Sequence, residues 1–131
     1  MTESKRTTRI TQVGAVIVPV SDQDRALEFY LDKLGFEKRV DTPFGESERW
    51  VEVAPPGAAT TIAIVPPREG EPTGIETRVA LSSKDIEADH ASLRARGVEA
   101  DAEVLRLGGG VPPMFTFRDP DGNRFRMVQR G

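Results

Sequence analysis

Residues 13–20 are apolar at almost every position. That suits a strand covered on one side and facing a cavity or second sheet on the other. Pro19 has no N–H to give, so it belongs at a strand end or a sheet edge. Ser21 and Asp22 are N-cap types, and Asp24, three residues after Ser21, makes a loose capping box. Ala26, Leu27, Tyr30, Leu31 and Leu34 then recur at spacings of three and four. They form one apolar stripe, so a helix is predicted to about Leu34, with Gly35 as its stop. Short strands are predicted at 37–41, 49–53 and 61–65, with turns at 43–45 and 55–57. Residues 66–74 are dominated by Pro, Gly and charge and read as a linker.

The pattern then repeats. Residues 77–81 are predicted as a strand and about 85–96 as a helix ended by Gly97. Three strands are predicted to follow, at 102–106, 114–118 and 123–129. The last two flank Asp119-Pro120-Asp121-Gly122, a type I turn with Gly122 free to take a positive φ. Asp119 should pair with Asn123, and Thr116 should fall beside Arg126. The chain thus reads as βαβββ twice. The units run over 12–66 and 76–131, with 67–75 between them and 1–11 as a loose polar tail. Each unit is too small to bury its own helix and sheet, so the two should share a core or exchange with another chain.

Composition narrows the chemistry. The 131 residues contain no Cys and one His, His90, and the net charge is −3. Thiol nucleophiles, disulfides and iron–sulfur clusters are excluded, as is a site of several His within one chain. Without a basic block there is little to attract nucleic acid. No apolar run is long enough to span a membrane, and the N-terminus lacks a secretory apolar region. The expected location is cytoplasmic.

Three stretches carry a family resemblance: Val20 to Tyr30, the Leu34-Gly35-Phe36 helix ending, and Phe117-Arg118-Asp119-Pro120-Asp121-Gly122-Asn123. Together with the paired βαβββ pattern they resemble the vicinal oxygen chelate superfamily. That group contains glyoxalase I, extradiol dioxygenases, fosfomycin resistance enzymes and bleomycin-binding proteins. The resemblance covers about residues 12–130. It implies an α+β fold, two modules whose mixed sheets curve around a cavity, and a homodimer. Catalytic members hold a divalent metal through His, Gln or Glu. By register the four ligand places fall on Ala15, Glu52, Arg78 and Arg126. One of the four is a plausible ligand and two are permanent cations, which cannot coordinate a metal. No metal, no other cofactor and no catalytic residue are therefore expected.

Strand alternation sorts the remaining side chains. Ala15, Ile17 and Pro19, then Trp50 and Glu52, Arg78 and Ala80, Met114 and Thr116, and Arg124, Arg126 and Val128 are placed on the cavity side. The expected ligand-binding set is Ile17, Phe44, Trp50, Glu52, Arg78, Met114, Thr116 and Arg126. Glu52, Arg78 and Arg126 read either as a salt-bridge network in the vacated metal place or as forked donors for an anionic or carbonyl ligand. Trp50 and Phe44 read as a stacking platform or as a dimer seam. His90 is placed on a helix, packed rather than catalytic. The triglycine 108–110 lacks a phosphate loop's strand–loop–helix context. Asp22, Asp24 and Asp85 read as helix caps.

The expected function is metal-free binding of a hydrophobic or aromatic small molecule, such as an antibiotic, at a dimer interface. The alternatives are a glyoxalase-like lyase, a metal-free enzyme with Glu52 as base, and a purely structural dimer module.

Overall fold

The computed structural model describes residues 7–131 and contains two successive sets of strands, each with a helix after its first strand. Residues 1–6 of the expected tail lie outside the described residues. The first unit contains β1 (Ala15–Pro19), α1 (Gln23–Glu28), β2 (Glu37–Phe44), β3 (Glu48–Ala54) and β4 (Thr61–Val65). The second contains β5 (Glu76–Ser83), α2 (Ile86–Ala95), β6 (Met114–Arg118) and β7 (Arg124–Gln129). The sheets are ordered β1-β4-β3-β2 and β5-β7-β6. In each, the first strand runs parallel to the last, and the strands in between form antiparallel hairpins. This is the α+β, twice-repeated architecture that the sequence predicts.

The helix starts follow from their capping side chains. Asp22 accepts the N–H of Arg25 and Asp85 accepts that of Ala88, each satisfying a donor that the first turn leaves open. Asp24 makes no cap; its carboxylate pairs with Arg49 at 2.8 Å. The first helix does not run uniformly to Leu34. After Glu28 it widens into a π-helical turn, Phe29–Lys33, before Gly35 takes φ +75°. Pro43 and Phe44 lie in β2 rather than in a turn. β2 is an edge strand, where a proline leaves no ladder bond unmade.

Residues 102–106 form no strand. Single bridges at Ala100–Phe117 and Leu105–Met114 stand in its place. Asp101 explains the interruption: its N–H donates to the Thr116 carbonyl, but its side chain, not a backbone carbonyl, accepts the Thr116 N–H. A side chain that offers this alternative competes with the ladder.

One core serves both units. Val18, Val20, Tyr30, Val51, Val53, Ile62 and Ile64 meet Ile86, Leu93, Phe115, Phe117, Phe125 and Met127. Phe125 stacks on Phe117 at 5.6 Å and receives the edge of Tyr30 at 6.0 Å. The turn 119–123 clasps the first unit from the second. The carboxylate of the buried Asp119 accepts four hydrogen bonds: from the Tyr30 hydroxyl, the Asn123 side-chain amide, and the N–H groups of Asp121 and Asn123. The Asn123 amide also donates to the Pro19 carbonyl. Pro19 is therefore buried under this turn rather than open to a cavity. Asp121 accepts the Ser21 N–H and pairs with Arg25. At the far helix ends, Lys33 donates to the Arg96 carbonyl and Arg96 to the Lys33 carbonyl.

Candidate functional site

The helices and the core occupy one face of each sheet, so the other faces are open. On the first sheet, alternation puts Ile17, Trp50 and Glu52 on the open side, while Val18, Val51 and Val53 are buried. Ile17 and Phe44 are 59% and 58% exposed, high for apolar side chains. Phe44 meets Trp50 edge to face at 5.8 Å. Together they line a cleft of about 340 Å³ with Glu48, Arg49, Val65, Pro66, Arg68 and Glu71. Three of the predicted residues, Ile17, Phe44 and Trp50, are thus brought together. The sequence reading missed Glu48, Arg49, Val65, Pro66, Arg68 and Glu71. Strand parity carries a weak signal for Val65 and for Glu48, two residues before Trp50; Pro66, Arg68 and Glu71 lie in residues read as a linker.

Glu52 has a specific local duty. Its two carboxylate oxygens accept the Trp50 indole N–H at 2.6 Å and the Thr61 hydroxyl at 2.7 Å. This ties down the one polar group of the indole and leaves its ring to face the cleft. Glu52 makes no ion pair with Arg78 or Arg126 among the described residues, so the expected three-residue salt-bridge network is absent within one chain. The reason is topological: Glu52 sits on the first sheet and both arginines on the second.

Arg49 at the cleft wall is also committed. It grips Asp41 through two donors and Asp24 through a third. Those bonds from Arg49, with a further one from Lys38, hold the Asp41 carboxyl down at about 2. Arg49 is pushed above the usual guanidinium range, chiefly by Asp41. Arg68 and Glu71, 4.0 Å apart, and Glu48 make the cleft's remaining charged rim.

On the second sheet, Arg78 and Arg126 line a separate cleft of about 360 Å³ with Glu76 and Ala80. Thr116 registers opposite Arg126, and Met114 opposite Val128. Met114 and Thr116 are half-buried and lie on this sheet, not beside Trp50. Val128, placed on the cavity side by parity, is buried. The eight expected site residues therefore form two patches on two sheets, not one pocket inside the chain. His90 holds the Asp101 carbonyl and packs its edge on Phe115, as a structural helix residue does.

The resemblance implies a divalent metal in catalytic members, so the donors at the four ligand places are tested for fit. Ala15 offers a methyl group, Arg78 and Arg126 offer cations, and Glu52 has both oxygens engaged. This donor set does not fit a divalent ion, which needs several lone-pair donors at one point.

Comparison with known proteins gives the same architecture. The family model described as Glyoxalase/Bleomycin resistance protein/Dioxygenase superfamily matches residues 10–127. The Bacillus subtilis protein YetH is 33% identical over 121 residues, covering 92% of this chain and 99% of its own. A superfamily member from Sphaerobacter thermophilus is 36% identical, with a TM-score of 0.88 over 94% of this chain and 100% of its own. TnmS3, an antibiotic binding protein from Streptomyces sp. CB03234, is 34% identical, with a TM-score of 0.82 over 95% of this chain and 99% of its own. With the repeated sheets, the parallel first-to-last pairing and these matches, the chain belongs to the Glyoxalase/Bleomycin resistance protein/Dioxygenase superfamily.

Proposed function

We propose that this protein binds small, flat, hydrophobic molecules, an aromatic antibiotic among them, and releases them chemically unchanged. The observation that carries the reading is Trp50. Its N–H is committed to Glu52, so the ring offers a π-face and no hydrogen bond. Exposed Phe44 and Ile17 stand beside it. A fixed aromatic face with apolar neighbours suits stacking. The likeness to TnmS3, an antibiotic binding protein, supports the same reading. The poor metal donor set supports binding over metal-dependent lyase or dioxygenase chemistry.

In this reading a second copy completes the site. The two patches lie on different sheets of one chain, and a homodimer would bring the arginine sheet of one copy over the Trp50 sheet of the other. The partners are then a small molecule and a second copy, with neither nucleic acid nor membrane, in the cytoplasm.

Trp50 is the only tryptophan in the chain, so its fluorescence reports this cleft alone. Titration with a panel of aromatic natural-product antibiotics should give saturable quenching by at least one compound. Trp50→Leu should weaken that compound's binding by about tenfold or more, the scale of a lost stacking contact. Mass spectrometry should recover it unaltered, and expression should protect susceptible cells. No quenching across the panel, or conversion of the compound, would overturn the reading.

A further inference from the structure

We infer that the cleft between Arg78 and Arg126 is an oxyanion site, so that the molecule bound carries a carboxylate or a similar group with paired acceptor oxygens. This rests on the binding reading above and adds the ligand's charge, which the Trp50 cleft does not specify.

The register places the two arginines together. Ala80 pairs with Arg126, and Arg78, two residues before Ala80 on β5, lines the same cleft as both. The small Ala80 leaves room between the two longer side chains. On the same face Arg124 registers opposite Arg118. Four arginines thus share one sheet face in a chain whose net charge is −3. A concentration of one sign against the overall charge attracts ligands of the other.

The carboxylate within the cleft does not neutralise this pair by contact. One Glu76 oxygen accepts the backbone N–H of Arg78 at 3.1 Å, and the other accepts Arg124 Nε at 3.4 Å. The first of these bonds does most to hold the Glu76 carboxyl below its usual range. Neither the Arg78 nor the Arg126 guanidinium donates a hydrogen bond or makes an ion pair to any described residue. Two planar forks of donors remain, the group best matched to a carboxylate or phosphate edge.

The backbone gives an independent argument. Arg78 has φ +63° and is the only non-glycine with positive φ among the described residues; all the others are glycines. β5 carries two extra residues here, because Glu76 to Ala80 spans the same stretch as Arg124 to Arg126. A left-handed backbone disfavours any side chain and suits glycine. An arginine held in that conformation, with its guanidinium making no hydrogen bond or ion pair to the described residues, points to a use for the guanidinium outside the chain.

The test uses benzoate, its neutral analogue benzamide, and inorganic phosphate, read through the arginine Nε–H resonances of ¹⁵N-labelled protein. Benzoate and phosphate should shift Arg78 and Arg126 saturably, and benzamide should not. Arg78→Gly and Arg126→Gln should each weaken benzoate binding by about tenfold, the scale of losing one forked ion pair. Arg78→Gly should melt at or above the parent temperature, since glycine relieves the backbone. Equal response to benzoate and benzamide would overturn the inference, as would shifts indifferent to both substitutions. So would an Arg78→Gly variant that melts well below the parent, which would make the arginine structural. Dissociation of a dimer by Arg126→Gln would also overturn it, by assigning the guanidinium to a partner's carboxylate. Quenching of Trp50 by a neutral aromatic compound tests the binding reading separately: it survives if only the anion is wrong.

Discussion

Tyr30 is the only tyrosine in the chain, and its hydroxyl is buried against Asp119 at 2.9 Å. Burial first, and the neighbouring Asp119 charge second, push its pKa well above the ordinary 10.0. The folded value lies above the unfolded one, so this group's contribution is complete below pH 10 and is lost as pH rises beyond it. Tyrosinate absorbance at 295 nm should therefore stay absent past pH 10 and appear together with loss of the far-ultraviolet dichroism. A smooth titration centred near pH 10 in folded protein would show that the clasp is open. Tyr30→Phe should cost about 1–3 kcal/mol in denaturant unfolding, because a buried carboxylate loses one donor. Asp41 works in the opposite direction. Its carboxyl is held at about 2 against an ordinary 3.8, so its small contribution is present above pH 4 and lost as pH falls toward 2. Asp41→Asn should flatten the stability profile in that window, losing the small contribution at neutral pH and leaving stability near pH 2 nearly unchanged.

At the level of the elements, local chemistry that acts within a few residues was readable beforehand. Asp22 and Asp85 are such cases: each bonds to the N–H three residues on. Replacing either by Ala should cost about 1 kcal/mol in thermal or denaturant unfolding. Strand alternation likewise predicted the exposed Ile17 and the buried Val18, Val51 and Val53. Sequence reading failed where a side chain answers to a distant partner. Pro19 is covered by Asn123, which lies 104 residues away. Asp101 replaces a backbone ladder bond with its carboxylate, and the predicted strand at 102–106 is lost. Glu52 satisfies Trp50 and Thr61 on its own sheet, so parity alone could not foresee that it ignores the arginines. Residues 66–74, read as a linker, end in a close contact rather than free chain. Gly74 has φ +72°, and a Cβ there would lie 2.9 Å from the Asp121 carbonyl oxygen. Gly74→Ala should lower stability by about 1–3 kcal/mol through strain and displacement of the 119–123 turn. An unchanged melting temperature would mean that the turn yields without loss.

The whole molecule is held as one unit by contacts between its halves, whereas its outer faces leave large apolar side chains exposed among the described residues. Tyr30 packs on Phe125, Asp121 holds Ser21 and Arg25, and Lys33 and Arg96 exchange carbonyl contacts. Neither half can keep its buried face without the other, so residues 12–66 alone should not fold. In the full chain, Trp50 fluorescence and far-ultraviolet dichroism should report one coincident transition. The outer surface runs the other way. Ile17 and Phe44 on the first sheet, and Leu105, Leu107 and Val111 beside the second, are large apolar side chains left exposed. Such exposure on both sheets fits the proposed second copy, since separate apolar patches of this kind commonly mark contact surfaces. Sedimentation velocity should accordingly give a dimer at micromolar concentration. Leu107→Asp, at a side chain 63% exposed in one chain, should shift that equilibrium toward monomer without lowering the monomer's stability. If the dimer completes the binding site, the same variant should also lose affinity for a ligand that quenches Trp50, although residue 107 does not line that cleft. A wild-type monomer that binds such a ligand at full affinity would separate the two ideas: the Trp50 cleft would suffice alone, and the exposed leucines would need another explanation.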